Sequence, residues 1–596
     1  MTEIDATQLQ AEIEQFTARF NELRKSGTAN DEVEETKKRL GELKKTLAVA
    51  NAKAKGAKKD EGKDVDGADD KKRERLLLKT AKGTRDYGPA EMHCRAHIEA
   101  TIKSVFTLYG GGCLDTPVFE RKDVLQGKYG EDAKLIFDLQ DQGGEQLALR
   151  YDHTVPLARY LAMVGRNETE NKLWQVGKVY RRDNPVMSKG RMREFMQADF
   201  DIAGTWDPMI PDGEILSMLC TILTRLDVGE FTVKINHRKI LDGIFEVCGV
   251  PTEKIRPISS AVDKLDKLPW DEVKKEMTDE KGLDPAIADR IGEYVKHKGG
   301  PELLEKLNTD ATLTSNKKAK EGLVDMGILF TLLKAYRVLD KISFDLSLAR
   351  GLDYYTGIIY EAVVEASAPP GFKEANALAS GSTPAAAAVP PPKPKKASPK
   401  KPADEDDEPE IDESQVGVGS IAAGGRYDGL VGMFNAAAAG AGKKAQEIPC
   451  VGVSIGMDRV FAIVWPKWVE RGMRSKETMV YVVSMGDGLL EERVRLAGEL
   501  RGAGIKTDFL AKNKPKHQTQ FAASEKDEVP FAIIIAPDEL AAGFVRVKEQ
   551  KWQFVDGEKV KVKAEGDKGV QVRRDELIQW LRDTPTLREW DSGRLV

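Results

Sequence analysis

The stretch WQVGKVYRRDNPVMSKGRMREFMQADFDIAG, residues 174–204, reads as a strand, a loop and a returning strand. Asn184-Pro185 and the run Ser188 to Gly190 mark the loop, because proline and glycine punctuate regular structure. Side chains alternate across a strand, so Phe195, Gln197, Asp199 and Asp201 share one face, while Glu194, Met196, Ala198 and Phe200 share the other. The first face carries an aromatic ring, an amide and two acids. It suits a flat base stacked on Phe195 and a polar substrate held by Gln197 and Asp201, with loop arginines gripping phosphate oxygens. From this stretch alone, a half-exposed antiparallel strand with ordinary surface residues explains the pattern equally well.

Working outward, LALRYDHTVPLARYLA (147–162) reads as a strand ended by Pro156 and followed by a helix, with Asp152 and Thr154 on one parity and His153 on the other. The acid and the hydroxyl can take an amino group, or they can cap the helix. His153 reads as a packed histidine. SLARGLDYYTGIIYEAVV (347–364) sets Arg350 before Gly351 and the pair Tyr354 and Tyr355, in a strand-loop-strand context. The arginine offers a fixed cation, and Tyr355 a group for a ring nitrogen, although strand aromatics commonly just pack. VGSIAAGGRYDGLVGMF (418–434) has Gly424-Gly425 before Arg426 and Tyr427, a pattern expected for a tight turn. PCVGVSIGMDRVFAIV (449–464) runs from a buried strand into a helix with Arg459 in its first turn. A cation there opposes the helix dipole unless an anion sits beside it, or unless Asp458 pairs with it.

The rest of the chain is organised around these segments. Leu9, Ile13, Phe16, Phe20 and Leu23 form one helical stripe and Val33, Leu40, Leu43 and Leu47 a second, predicting a helical hairpin over 1–50. A Lys/Ala/Gly/Asp stretch over 51–75 reads as a flexible linker. The pattern turns helical over about 240–341. A tract over about 366–415, containing PPPKPKKASPKK and DEDDEPEIDE, lacks the apolar content for a core and reads as a disordered insertion in a hairpin loop. From 475 to 596 apolar strands (MVYVVSM, FAIIIA) alternate with amphipathic helices, predicting a small α/β domain.

With 596 residues, 41% hydrophobic content and a net charge of -5, the chain is large enough for several cores and carries no global nucleic-acid signal. The five dispersed cysteines form no CxxC pair, which disfavours a disulfide framework and a zinc ribbon. His93, Cys94 and His97 have helical spacing but no second ligand group, so no protein-bound metal is expected. The acidic start and the absence of an apolar run of about twenty residues predict a soluble cytoplasmic protein without a leader or membrane span. GxxxxGK[ST] and strand-borne GxGxxG loops are both absent. A nucleotide must therefore be held by arginines and a sheet.

Taken in order, RRDNP...GRMREFMQADFD, RGLDYY, AAGGRYDGL and the GMDR helix start resemble the histidyl-tRNA synthetases, from about Leu77 to the C-terminus apart from the insertion. The resemblance implies an α+β multidomain protein. A class II antiparallel-sheet catalytic domain (76–470) would carry the helical insert, after an N-terminal WHEP-like hairpin and before a C-terminal anticodon-binding α/β domain. It also implies a homodimer built on Ile98 to Glu120, a helix and then a strand ending at Pro117. The implied partners are tRNA(His), L-histidine and ATP, with Mg2+ arriving as part of the ATP complex. By position, Arg181, Arg191, Phe195 and Arg459 would bind ATP. Asp152, Thr154, Arg181, Gln197, Asp201, Arg350, Tyr354, Tyr355 and Tyr427 would bind histidine, and Arg181, Arg350 and Arg459 would be catalytic. The alternative is an inactive, synthetase-like regulatory or tRNA-binding protein; retention of those arginines and of the C-terminal domain disfavours it.

Overall fold

The computed structural model describes residues 78–364 apart from 141–142, 166–169, 267 and 350–353. It also describes 419–591 apart from 440–445, 472–475, 556–557 and 563–567, and the scattered positions 12, 13, 15, 17, 36, 39 and 43. The hairpin, linker and 366–415 insertion expected from the sequence thus lie essentially outside the described residues. So does Arg350.

In chain order the first strands are β1 Gly112–Cys113, β2 Phe119–Arg121, β3 Leu147–Leu149, β4 Asn171–Tyr180, β5 Glu194–Ala203, β6 Phe231–His237, β7 Lys298–Gly299, β8 Ile342–Asp345, β9 Ile358–Val364, β10 Ala422–Arg426 and β11 Cys450–Gly456. All but β2 and β3 join one sheet, ordered β1-β4-β5-β11-β10-β9-β6-β8-β7. Every pairing in it is antiparallel except β1 with β4 and β6 with β8. β4 and β5 form the hairpin read from the sequence, Tyr180 opposite Glu194.

The alternation on β5 sorts the sheet's two faces. Ala198, Phe200 and Ile202 turn into the main core, where the Phe200 ring lies 5.3 Å from that of Phe106 on the helix Pro89–Leu108. Burying such side chains contributes about 1.5–3 kcal/mol each. The opposite face meets a smaller core of Tyr129, Tyr151, Tyr354, Tyr427 and the helix Thr154–Val164. Helices occupy most of 238–335 between β6 and β8, with only the two-residue β7 between them.

Three local expectations need correction. Asp152 to Thr154 are not strand: β3 ends at Leu149, and Thr154 opens a helix that admits Pro156 because its first turn needs no amide donor there. Gly424-Gly425 is not a turn but the middle of β10, whereas the tyrosine pair lies between β8 and β9, in the strand-loop-strand context read from the sequence. Pro117 ends no strand either; it falls between β1 and β2.

The C-terminal region builds a second sheet from β12 Val480–Ser484, β13 Thr507–Phe509, β14 Phe531–Ile535 and β15 Phe544–Glu549. The strands β16 Trp552–Val555 and β17 Glu558–Lys561 pair apart from it, and β18 Val570–Arg573 completes it in the order β13-β12-β14-β15-β18. It has its own apolar core around Val480, Phe531 and Leu577.

A buried ion pair ties the nine-stranded sheet to its helix layer. Arg426 on β10 donates through Nε to Asp212 Oδ1 at 3.0 Å and through a second nitrogen to the other oxygen, while also reaching Asp428 at 3.2 Å. Asp212 has no solvent exposure, so Asp212→Ala strands a buried cation, a change that costs about 3–5 kcal/mol. The expected value is the lower end, because Arg426 keeps Asp428 and part of its solvent access. Scanning fluorimetry should show the thermal midpoint falling by several degrees; an unchanged midpoint would mean the pair is dispensable.

Candidate active site

On the polar face of the sheet lies a cavity of about 810 Å³. Its walls come from β5 (Phe195, Gln197), the β4–β5 loop (Arg181, Asp183, Arg191), the Asp152 to Thr154 corner, the tyrosine turn, and the start of the helix Met457–Glu470 (Asp458, Arg459). Asp152, Thr154, Arg181, Arg191, Phe195, Gln197, Tyr354, Tyr355 and Arg459 all line it, as the parity argument anticipated for those on β5. Asp201 and Tyr427 do not. They stand behind the wall, buried, with the Tyr427 hydroxyl donating to Asp201 Oδ1 at 2.6 Å.

The acidic end is built with care for its charges. Asp152 Oδ1 accepts from the Tyr129 hydroxyl at 2.9 Å and from Val155 N at 3.2 Å. The residue both caps the helix and faces the cavity, so the two sequence readings of it were not exclusive. Burial raises its pKa and nearby Arg181 opposes that rise. Burial likewise pushes Asp201 up to about 7, against the lowering effect of the Tyr427 bond and with help from the charge of Asp152. Asp199, between them on β5, is held well above the carboxylate range by burial and by Asp201; its Oδ2 accepts from Ser454 at 2.5 Å and its Oδ1 has no partner. Burial and mutual repulsion thus act in the same direction on all three acids, toward a raised pKa.

The cationic end is ordered by stacking. Arg181 lies over the Tyr151 ring at 4.2 Å and the Phe195 ring at 5.3 Å, and its Nε donates to Tyr151 O at 3.1 Å. These contacts fix its guanidinium at the cavity wall. Arg191 is more exposed and sits 3.5 Å from Asp183. Arg459 donates to Ser420 O at 2.5 Å. The alternative in which Asp458 neutralises Arg459 is not realised, because Asp458 pairs with Arg95, Tyr87 and Met196 N.

Two glycines of the sheet let pocket and buried side chains pack directly on its backbone. A Cβ on Gly425 would come within 2.8 Å of the Tyr355 ring, and one on Gly452 within 1.7 Å of Asp201 Oδ1. Gly425 therefore serves close approach of a pocket tyrosine and Gly424 that of the neighbouring strand at Gly452 O, rather than a turn.

His153 is buried with both ring nitrogens unbonded, and burial with nearby Arg150 holds its pKa down to about 3. Its neutral ring serves as an apolar residue. His93 and His97 pack on Trp468, with ring centroids 5.6 and 5.2 Å away. Among the described residues no group of three His, Cys, Asp or Glu could hold a metal ion.

Sequence reading missed Tyr129 and Tyr151, whose rings lie 4.7 Å apart beneath Asp152 and Arg181. It also missed the wall from the helical segment, where Glu253, Arg256 and Ser259 face the cavity. Nothing local distinguishes these residues from ordinary loop and helix positions.

A family model described as histidyl-tRNA synthetase matches residues 83–373, and one described as an anticodon binding domain matches 479–584. A histidine–tRNA ligase of Danio rerio is 45% identical over 546 residues, covering 91% of this chain and 95% of that one. A mitochondrial histidine–tRNA ligase of Saccharomyces cerevisiae is 48% identical, covering 81% and 84%, and a cytoplasmic one of Dictyostelium discoideum is 46% identical, covering 80% and 88%. Among solved structures, histidyl-tRNA synthetase from Nostoc superposes with a TM-score of 0.62 at 26% identity, over 85% of this chain and 99% of that one.

Proposed function

This chain belongs to the histidyl-tRNA synthetase family, and on that premise we propose how its cavity divides the work of the reaction. The activity is histidine–tRNA ligation: the carboxylate of L-histidine attacks the α-phosphorus of ATP in line, pyrophosphate leaves, and the histidyl group of the adenylate passes to the 3′ end of tRNA(His).

The observation that supports the division is the lining of one cavity, which brings Asp152, Thr154, Tyr354 and Tyr355 together with Arg181, Arg191, Arg459 and the ring of Phe195. Asp152 and Thr154 take the α-amino group, with Gln197 beside them. Asp201 and Tyr355 pair the imidazole nitrogens, with Tyr354 and Tyr427 fixing their surroundings. Arg181 spans the histidine carboxylate and the α-phosphate, where negative charge builds in the transition state. Phe195 stacks on adenine, and Arg191 and Arg459 hold the distal phosphates. Magnesium enters on the phosphate oxygens of ATP and shields them. Arg350 is assigned to the same α-phosphate on its place in the sequence alone.

Residues 475–596 would read the anticodon, the helical segment about 240–341 would meet the acceptor arm, and the N-terminal hairpin would bind RNA or a partner. A homodimer through the Ile98 to Glu120 region belongs to the same reading. Relatives include both cytoplasmic and mitochondrial ligases. No described helix is long and apolar enough to cross a membrane.

The test is ATP/pyrophosphate exchange across the standard amino acids. Exchange with histidine alone is the expected result, and no exchange with any amino acid would move the chain to the regulatory alternative.

A further inference from the structure

Asp458 is buried at the cavity wall and gathers contacts from a loop, a helix and a strand. Its Oδ1 accepts from the Tyr87 hydroxyl at 2.6 Å and from Arg95 on the helix Pro89–Leu108. Its Oδ2 accepts from the backbone N–H of Met196 at 2.7 Å. Met196 lies between Phe195 and Gln197, so that single bond pins the strand position that carries the adenine-stacking ring. Asp458 also immediately precedes Arg459 at the start of its helix. The two outer partners brace each other: the Arg95 guanidinium sits 4.0 Å over the Tyr87 ring, and the Phe461 ring lies 5.7 Å from that of Tyr87. Tyr87 further reaches Met192, a wall residue of the cavity, at 3.7 Å.

We propose that Arg95 and Tyr87, neither of which touches the cavity, are positioning residues for the nucleotide half of the site, acting through Asp458 on Phe195 and Arg459. The carboxylate needs a permanent cation to remain a bidentate acceptor in a dry setting, and Arg95, itself nearly buried, supplies it. Without that cation Asp458 loses the partner that holds its rotamer, and a turn of the carboxylate toward water releases the Met196 amide and the helix start together. The histidine end is anchored separately, by Tyr129 on Asp152 and Tyr427 on Asp201, and does not depend on this clamp.

The proposal rests on assigning Phe195 and Arg459 to ATP, so Arg459→Ala is assayed beside the clamp variants in the full-length protein by histidine-dependent pyrophosphate exchange. Arg95→Leu is expected to raise KM for ATP at least tenfold while KM for histidine moves less than threefold. Arg95→Lys should recover part of the loss by restoring a cation, and Tyr87→Phe, which keeps the ring and removes only the hydroxyl, should raise KM for ATP about threefold. If Arg95→Leu does not fold, the lysine and phenylalanine variants decide. Equal rises in both KM values, or folded variants with an unchanged KM for ATP, would overturn the clamp. An Arg459→Ala variant with an unchanged KM for ATP would instead overturn the assignment beneath it.

Discussion

Replacing Arg181 with glutamine is expected to lower kcat/KM for histidine-dependent pyrophosphate exchange by about 10²–10³-fold, the range typical of losing one preorganised donor at a developing charge. The structure explains why this arginine should matter more than its neighbours. It is stacked between Tyr151 and Phe195 and tied to Tyr151 O, so its rotamer is set before substrate arrives and little entropy is lost on binding. Arg191, by contrast, is 42% exposed and shares Asp183, so Arg191→Ala should show a much smaller loss. Lysine at 181 should not rescue, because a point charge can neither stack between two rings nor span two acceptors. The loss should fall mainly on kcat, since the charge it meets is greatest in the transition state. A reduction of less than tenfold, or one confined to KM for histidine, would remove Arg181 from the chemical step.

The second large effect is expected at Asp201. Asp201→Asn should weaken histidine use by about 10²-fold or more, since a buried acceptor for the ring N–H becomes a group that can offer a donor instead. The variant also isolates a pH dependence. With its pKa raised to about 7, chiefly by burial, Asp201 in the empty site becomes a carboxylate only as pH rises through that value. KM for histidine should therefore climb as pH falls below about 7, with a slope one unit steeper in log KM against pH for the parent than for the variant. The imidazole of the substrate titrates equally in both and cancels. Equal slopes would show that Asp201 does not meet the ring.

Stability should move the opposite way. The folded pKa lies above the unfolded value of 3.8, so this residue's contribution is fully present below about pH 4 and is lost as pH rises toward 7. At pH 8 Asp201→Asn should melt no lower than the parent. That separates lost recognition from lost folding and is the expected signature of a site built against stability.

How much of this was legible in the sequence depended on whether the signal was local. The β4–β5 hairpin could be read because alternation on a strand is a property of consecutive residues, and the face it predicted is the cavity face. Asp152 was half legible: its acid and hydroxyl were noticed, but β3 stops short, and a helix start presents them instead of a strand. Tyr129 was not legible at all, because its value comes from Asp152, twenty-three positions away. The same holds for Asp458, read as a possible mate for its neighbour and found bound to Arg95 across the fold. Local pattern specifies which way a side chain points; it does not specify what waits there.

Two glycines packed against Tyr355 and Asp201 alter how this site can be interrogated. Alanine scanning rests on the idea that alanine subtracts, leaving the backbone and removing a side chain's contribution. At Gly425 and Gly452 it adds, placing a methyl group into Tyr355 and into the Asp201 carboxylate. A scan that ranks positions by lost activity would score both as catalytic groups although neither bears a functional atom. What they contribute is vacancy, and the substrate's fit is stored partly in atoms the chain leaves out.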